Sequence, residues 1–105
     1  MIDILKLKSY FESDMILVTD HAAHRFQERG IKTKDIRAAV CQGEIIEQYP
    51  DDMPFPSCLI LGKDGSGRYL HICMSDEGSS GSIITAYYPD PEKWNDTLTK
   101  RKQQS

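Results

Sequence analysis

The amino-acid sequence predicts an α+β fold in which N-terminal helices pack on one face of a four-stranded antiparallel sheet and a short helix closes the chain. Two observations lead there. As far as Gly43 the apolar residues recur at helical spacing between capping residues, and from Glu44 the period shortens to that of a strand. The alternating part is also cut into runs by clusters of turn-forming residues, as hairpin-linked strands require.

A chain of 105 residues builds one core and not two, so residues 1–105 read as one domain. Its expected parts are an N-terminal helix and lead-in (1–18), a helical hairpin (19–43), the sheet (44–88), and a C-terminal helix and tail (89–105). Hydrophobic residues at 39% and charged residues at 28% are ordinary for a globular protein and too apolar for a disordered one. No apolar run approaches membrane-spanning length, and Met1–Lys6 lacks the layout of a signal peptide. A cytoplasmic location with no membrane partner is therefore expected.

Ile2 to Glu12 reads as an amphipathic helix with Ile4, Leu5, Lys8 and Phe11 near one side. Met15–Val18 is a short apolar run, either a brief strand or the packed end of a connection. Thr19 or Asp20 can cap the next helix, and Gly30 can end it in the left-handed conformation. On that helix Ala22, Ala23 and Phe26 share one side, His21, His24, Arg25 and Glu28 the other, and Arg29 lies between. Thr33 is a plausible cap for a third helix, with Ile36, Ala39 and Val40 as its core stripe and Gly43 as its stop.

Glu44–Tyr49 is the first expected strand, ended by Pro50 and an irregular loop through Pro56. Ser57–Gly62 is nearly all apolar and so central. Lys63–Gly67 has hairpin-turn composition, and Arg68–Ser75 returns as the third strand. After the turn Asp76–Gly81, Ser82–Tyr88 is the fourth. Alternation turns Leu70, Ile72 and Met74 to the helices and Tyr69, His71 and Cys73 to the outer face. On the fourth strand Ile84, Ala86 and Tyr88 alternate with Ile83, Thr85 and Tyr87. Asp90 as cap and Pro91 at the first helical position predict the closing helix, anchored by Trp94 and Leu98, with Lys100–Ser105 as a frayed tail.

Chemistry collects in two places. The helix over Asp20–Gly30 concentrates His21, His24, Arg25, Glu28 and Arg29. The third strand carries Arg68, Tyr69 and His71, the last expected to be half-exposed with a pKa near neutrality, suited to proton transfer. The ordinary alternatives are a solvated helix face with a His24–Glu28 surface pair, and a hydrogen-bonded strand histidine. Cys41, Cys58 and Cys73 have no metal-ligand spacing, so they read as reduced core or near-core thiols, and no metal or cofactor is expected. A net charge of −3 counts against indiscriminate nucleic-acid binding, though a local basic site remains compatible.

The run His21-Ala22-Ala23-His24-Arg25-Phe26-Gln27-Glu28-Arg29-Gly30-Ile31 resembles the opening signature of the bacterial domain family DUF4258, whose role is unassigned. Three later segments are similar to that family's in the same order: Gly43–Glu47 with Tyr49, Gly67–Ile72, and Ile84-Thr85 with Tyr87-Tyr88-Pro89. The family itself resembles the RelE-like toxins, which cleave messenger RNA, and it is often encoded beside an antitoxin-like partner. The resemblance implies a RelE-like fold and a toxin-like RNA-binding or RNA-cleaving protein (a metal-independent endoribonuclease) of a toxin–antitoxin type system, with RNA as substrate and an antitoxin-like protein as partner. It would give catalytic roles to His21, His71, Arg25 and Arg29, and substrate contacts to His24, Arg68, Tyr69 and Tyr87. The chain departs from many such toxins in its acidic balance and in lacking a cationic cluster on its strands. The rival class is a non-catalytic interaction domain of the same fold.

Overall fold

A computed structural model describes residues 1–102; the end of the expected tail, residues 103–105, lies outside the described residues. The elements run α1 (Ile4–Glu12), β1 (Ile16–Val18), α2 (Asp20–Glu28), α3 (Thr33–Cys41), β2 (Glu44–Tyr49), β3 (Ser57–Lys63), β4 (Tyr69–Asp76) and β5 (Gly81–Tyr87). The sheet has five strands in the order β1-β5-β4-β3-β2. β2 to β5 form the expected antiparallel meander, while β1 pairs parallel with β5, Ile16–Val18 lying beside Gly81–Ile83. The expected four-stranded antiparallel sheet is thus corrected to a mixed five-stranded one. A three-residue apolar run carries no readable period, and its partner is remote in sequence.

Each helix has a local cause. Asp3 caps α1 by accepting the N–H of Leu5 at 2.9 Å, so the helix starts two residues later than Ile2. Thr19 caps α2 through the N–H of Ala22 at 3.1 Å, and Gly30 ends it at φ +69°. In α3 the cap is Lys32 rather than Thr33: the Asp35 carboxylate takes the N–H of Lys32 at 3.0 Å, holding the first turn from inside. The buried stripes Leu7, Tyr10 and Phe11, Ala22 and Phe26, and Ile36, Ala39 and Val40 meet one sheet face at Cys58, Ile60, Leu70, Ile72, Met74, Ile83 and Ala86. Ala23, expected beside Ala22, is exposed. Burying a side chain the size of Phe26 or Leu70 contributes roughly 1.5–3 kcal/mol. α3 comes closest, for a Cβ on Gly62 would overlap the Ala39 backbone.

Two features of the sheet matter for the site. A bulge on β5 lets Cys73 pair with Thr85 and Met74 with Ile83, so Ile84 is the extra residue. Ile83 thereby joins Ala86 in the core instead of facing outward with Thr85, and Ile84 is left 49% exposed. The expected closing helix does not form among the described residues. Asp90 caps one turn, accepting the N–H of Glu92 at 2.9 Å, and then the Asn95 side chain accepts the N–H groups of Thr99 and Lys100. Those bonds substitute for helical ones and fold the segment into a hairpin, with Trp94 bridged to Arg101.

Candidate functional site

Ala22 and Phe26 turn one side of α2 into the core, which leaves His21, His24, Arg25 and Glu28 in solvent. His24 pairs with Glu28 at 2.8 Å, but with side chains 71% and 57% exposed this is a surface pair of small worth. Arg25 and His21 have no ion-pair partner among the described residues. Arg29 behaves differently. β1 pairs with β5 only as far as Ile83, so beyond it the β5 edge is open, and the Arg29 guanidinium fills the gap. It donates to the Ala86 carbonyl at 2.7 Å and reaches the Thr85 hydroxyl at 3.4 Å.

Thr85 belongs to the outer face, the side away from the helices. Pairing sets two rows across it: Glu47, Leu59, Cys73 and Thr85, then Leu61, His71 and Tyr87. His71 is on the face opposite the helices, as the alternation requires, but it is fully buried and not half-exposed. The C-terminal hairpin lies over it. The Trp94 ring stands edge-on at 4.3 Å, the Leu98 carbonyl is 2.8 Å from Nε2, and the Tyr87 hydroxyl is 3.3 Å from Nδ1. A carbonyl only accepts, so Nε2 carries the proton and Nδ1 accepts from Tyr87. Burial pushes the His71 pKa below the ordinary histidine value, although the Leu98 carbonyl and Glu47 pull the other way. Strand alternation carries no information about a distant segment folding back, and hence missed this burial.

Other expected members are scattered. Arg68 stacks on Tyr88 at 3.7 Å, and Tyr69, 44% exposed, sits under Lys63 at 5.1 Å. The structure therefore joins His71 to Tyr87 and brings Arg29 to the neighbouring Thr85. It leaves His21, His24, Arg25, Arg68 and Tyr69 outside that cluster. Sequence reasoning missed Glu47, Arg101 and the Leu98 carbonyl. Arg101 lies 3.8 Å from the Glu47 carboxylate and 5.1 Å over Trp94, and Glu47 also accepts from the Tyr49 hydroxyl. Burial and then Glu47 push the Tyr49 phenol up to about 12. Strict alternation from Ile45 would turn Glu47 inward; a bulge at Ile46 sets Glu47 opposite Leu59 and so on the outer face, which the period of β2 did not signal. Beside Trp94 a cleft of about 750 Å³ opens, walled by Tyr87, Tyr88, Lys93, Arg101 and Lys102 and by the acids Asp90 and Glu92.

Cys58 is buried and Cys73 half-buried, while Cys41, expected in or near the core, is exposed; all three are free thiols. Among the described residues no helix is long and apolar enough to cross a membrane. A family model described as Domain of unknown function (DUF4258) matches residues 18–88. The chain belongs to this family. The DUF4258 stretch opens at the end of β1 and closes just past β5, and so contains His21, Arg25, Arg29, His71 and Tyr87. α1 and the hairpin carrying Trp94 and Leu98 lie beyond it. No curated protein and no solved structure matches the chain.

Proposed function

We propose that this DUF4258 protein is an RNA-directed, toxin-like protein of RelE-like fold, a metal-independent endoribonuclease working against an antitoxin-like partner in the cytoplasm. The observation that carries the reading is the continuity from Arg29 around the β5 edge to Thr85, and along the same face to Tyr87 and His71. Side chains two apart on a strand share a face about 7 Å apart, which is the scale of a ribose–phosphate unit. In the reaction a ribose 2′-oxygen attacks the adjacent phosphorus, the bond to the 5′-oxygen breaks, and a 2′,3′-cyclic phosphate and a 5′-hydroxyl result. Nδ1 of His71 takes the 2′-hydroxyl proton through the Tyr87 phenol, which burial keeps protonated at neutral pH, while the Nε2 proton passes to the leaving 5′-oxygen, so the ring ends neutral. Arg29, with Arg25 a turn away, binds the phosphate oxygens that gain charge. The aromatic cleft beside Trp94, with three cations against the two acids Asp90 and Glu92, suits a neighbouring base and its phosphate. His21 and His24, exposed on α2 outside that cluster, take no part.

The test is incubation of the purified chain with single-stranded RNA in EDTA, with the ends analysed. Cyclic phosphate ends that vanish in His71→Gln support the reading. Intact RNA, together with growth unaffected by expression of the chain alone, leaves the second reading: a non-catalytic interaction domain. One observation favours that alternative, namely that both His71 ring nitrogens are satisfied by the chain itself.

A further inference from the structure

We infer that residues 90–101 form a displaceable strap that closes the His71 site, an inference that rests on the RNA-directed reading for what the closure regulates. The strap covers His71, the one buried titratable ring of the outer face among the described residues, and takes up its Nε2–H, the proton that the reaction would use. It lies outside the stretch that the family model matches, and it supplies none of the five strands of the sheet.

Its attachment is local and rests on a single buried side chain, Trp94, at 4% exposure. It contributes no helix and no sheet strand, only the Trp94–Arg101 bridge, a backbone bond from Lys102 to Lys93 at 2.9 Å, and turns closed by Asn95. On the body it rests through Trp94 and the Leu98 carbonyl on His71, and through Arg101 on Glu47 with the arginine side chain 66% exposed. Segments held by few buried contacts open far below the free energy of global unfolding. Leu98 adds a bias, since at φ +61° a γ-branched residue occupies the left-handed region that side chains disfavour. Phosphate competes directly with Glu47 for Arg101, because guanidinium binds either group in the same bidentate manner. An arriving RNA backbone would thus weaken the outer attachment and gain Lys93, Arg101 and Lys102 as contacts.

The experiment uses the full chain and its Trp94→Ala and Arg101→Glu variants. Diethyl pyrocarbonate modification of each histidine is followed by mass spectrometry, with exposed His21 and His24 as internal references. The expected result is a strongly protected His71 in the parent and at least a tenfold faster modification in Arg101→Glu. Should Trp94→Ala fail to fold, Arg101→Glu still decides, because that side chain lies at the surface. Amide exchange of the parent gives a second reading: the N–H groups of Asn95, Leu98 and Lys102 should exchange at least a hundredfold faster than those of Ile60 and Ile72. His71 protected in every folded variant, with strap amides exchanging only on global unfolding, would overturn the strap whatever RNA does. His71 exposed with no cleavage by any form upholds the strap and removes the ribonuclease reading instead.

Discussion

Nε2 of His71 lies 2.8 Å from the carbonyl oxygen of Leu98, so the imidazole on β4 is held by a segment that follows the sheet in sequence. Because the ring is buried, its pKa is depressed and the folded chain prefers the neutral form. This stabilisation is fully present above the unfolded histidine value, near 6.5, and is lost as pH falls through the depressed folded value. Glu47, Arg101 and Tyr87 are the other ionisable groups facing the ring. Urea unfolding at pH 7.5 and 5.5 should show a loss of stability in the parent that His71→Gln lacks. His21 and His24 cancel in that comparison.

The two arginines of α2 should separate. Arg25→Ala removes no ion pair among the described residues and should change stability by less than about 0.5 kcal/mol, whereas Arg29→Ala gives up the Ala86 carbonyl and should cost about 1 kcal/mol. If both bind the scissile phosphate, each should lower the RNA cleavage rate by a factor corresponding to roughly 2–4 kcal/mol. Paired unfolding and cleavage assays would distinguish them, and an unchanged rate in both would remove them from the site.

Gly62→Ala should be strongly destabilising. The added methyl would strike the Ala39 backbone where α3 crosses β3, and backbone cannot yield as the end of a side chain can. A loss of about 1–3 kcal/mol is expected for such overpacking, read from the urea midpoint at unchanged slope.

Asp64 organises the β3–β4 turn. Its carboxylate accepts the N–H groups of Ser66 and Arg68 at 2.9 Å each and the Tyr88 hydroxyl at 3.2 Å. Burial alone would raise its pKa, but these donors hold it below the usual carboxylate value. The stability that it contributes is therefore present above the unfolded value and lost as pH falls through the lower folded one. Asp64→Asn should flatten the acid limb of the unfolding curve and loosen Arg68, read as faster amide exchange at Arg68 and Tyr69.

Local rules determined much of this chain. The Thr19 cap, the left-handed Gly30, the stripe Ile36-Ala39-Val40 and the Asp64 turn depend on neighbours a few residues away, so spacing and residue type specify them. Strand alternation likewise placed His71, Thr85 and Tyr87 on one face. What only the tertiary structure decided is whatever depends on partners distant in sequence. Ile16–Val18 became a parallel edge strand because Gly81–Ile83 lay open beside it, and Ile84 bulged because Met74 and Cys73 set the register. Arg29 found the carbonyl that β1 leaves uncovered. Asn95 drew backbone donors that a helix would have used, and the resulting hairpin put Trp94 and Leu98 over His71. Burial is a property of the assembled surface, and a half-buried strand pattern reads the same whether solvent or another segment covers its outer side.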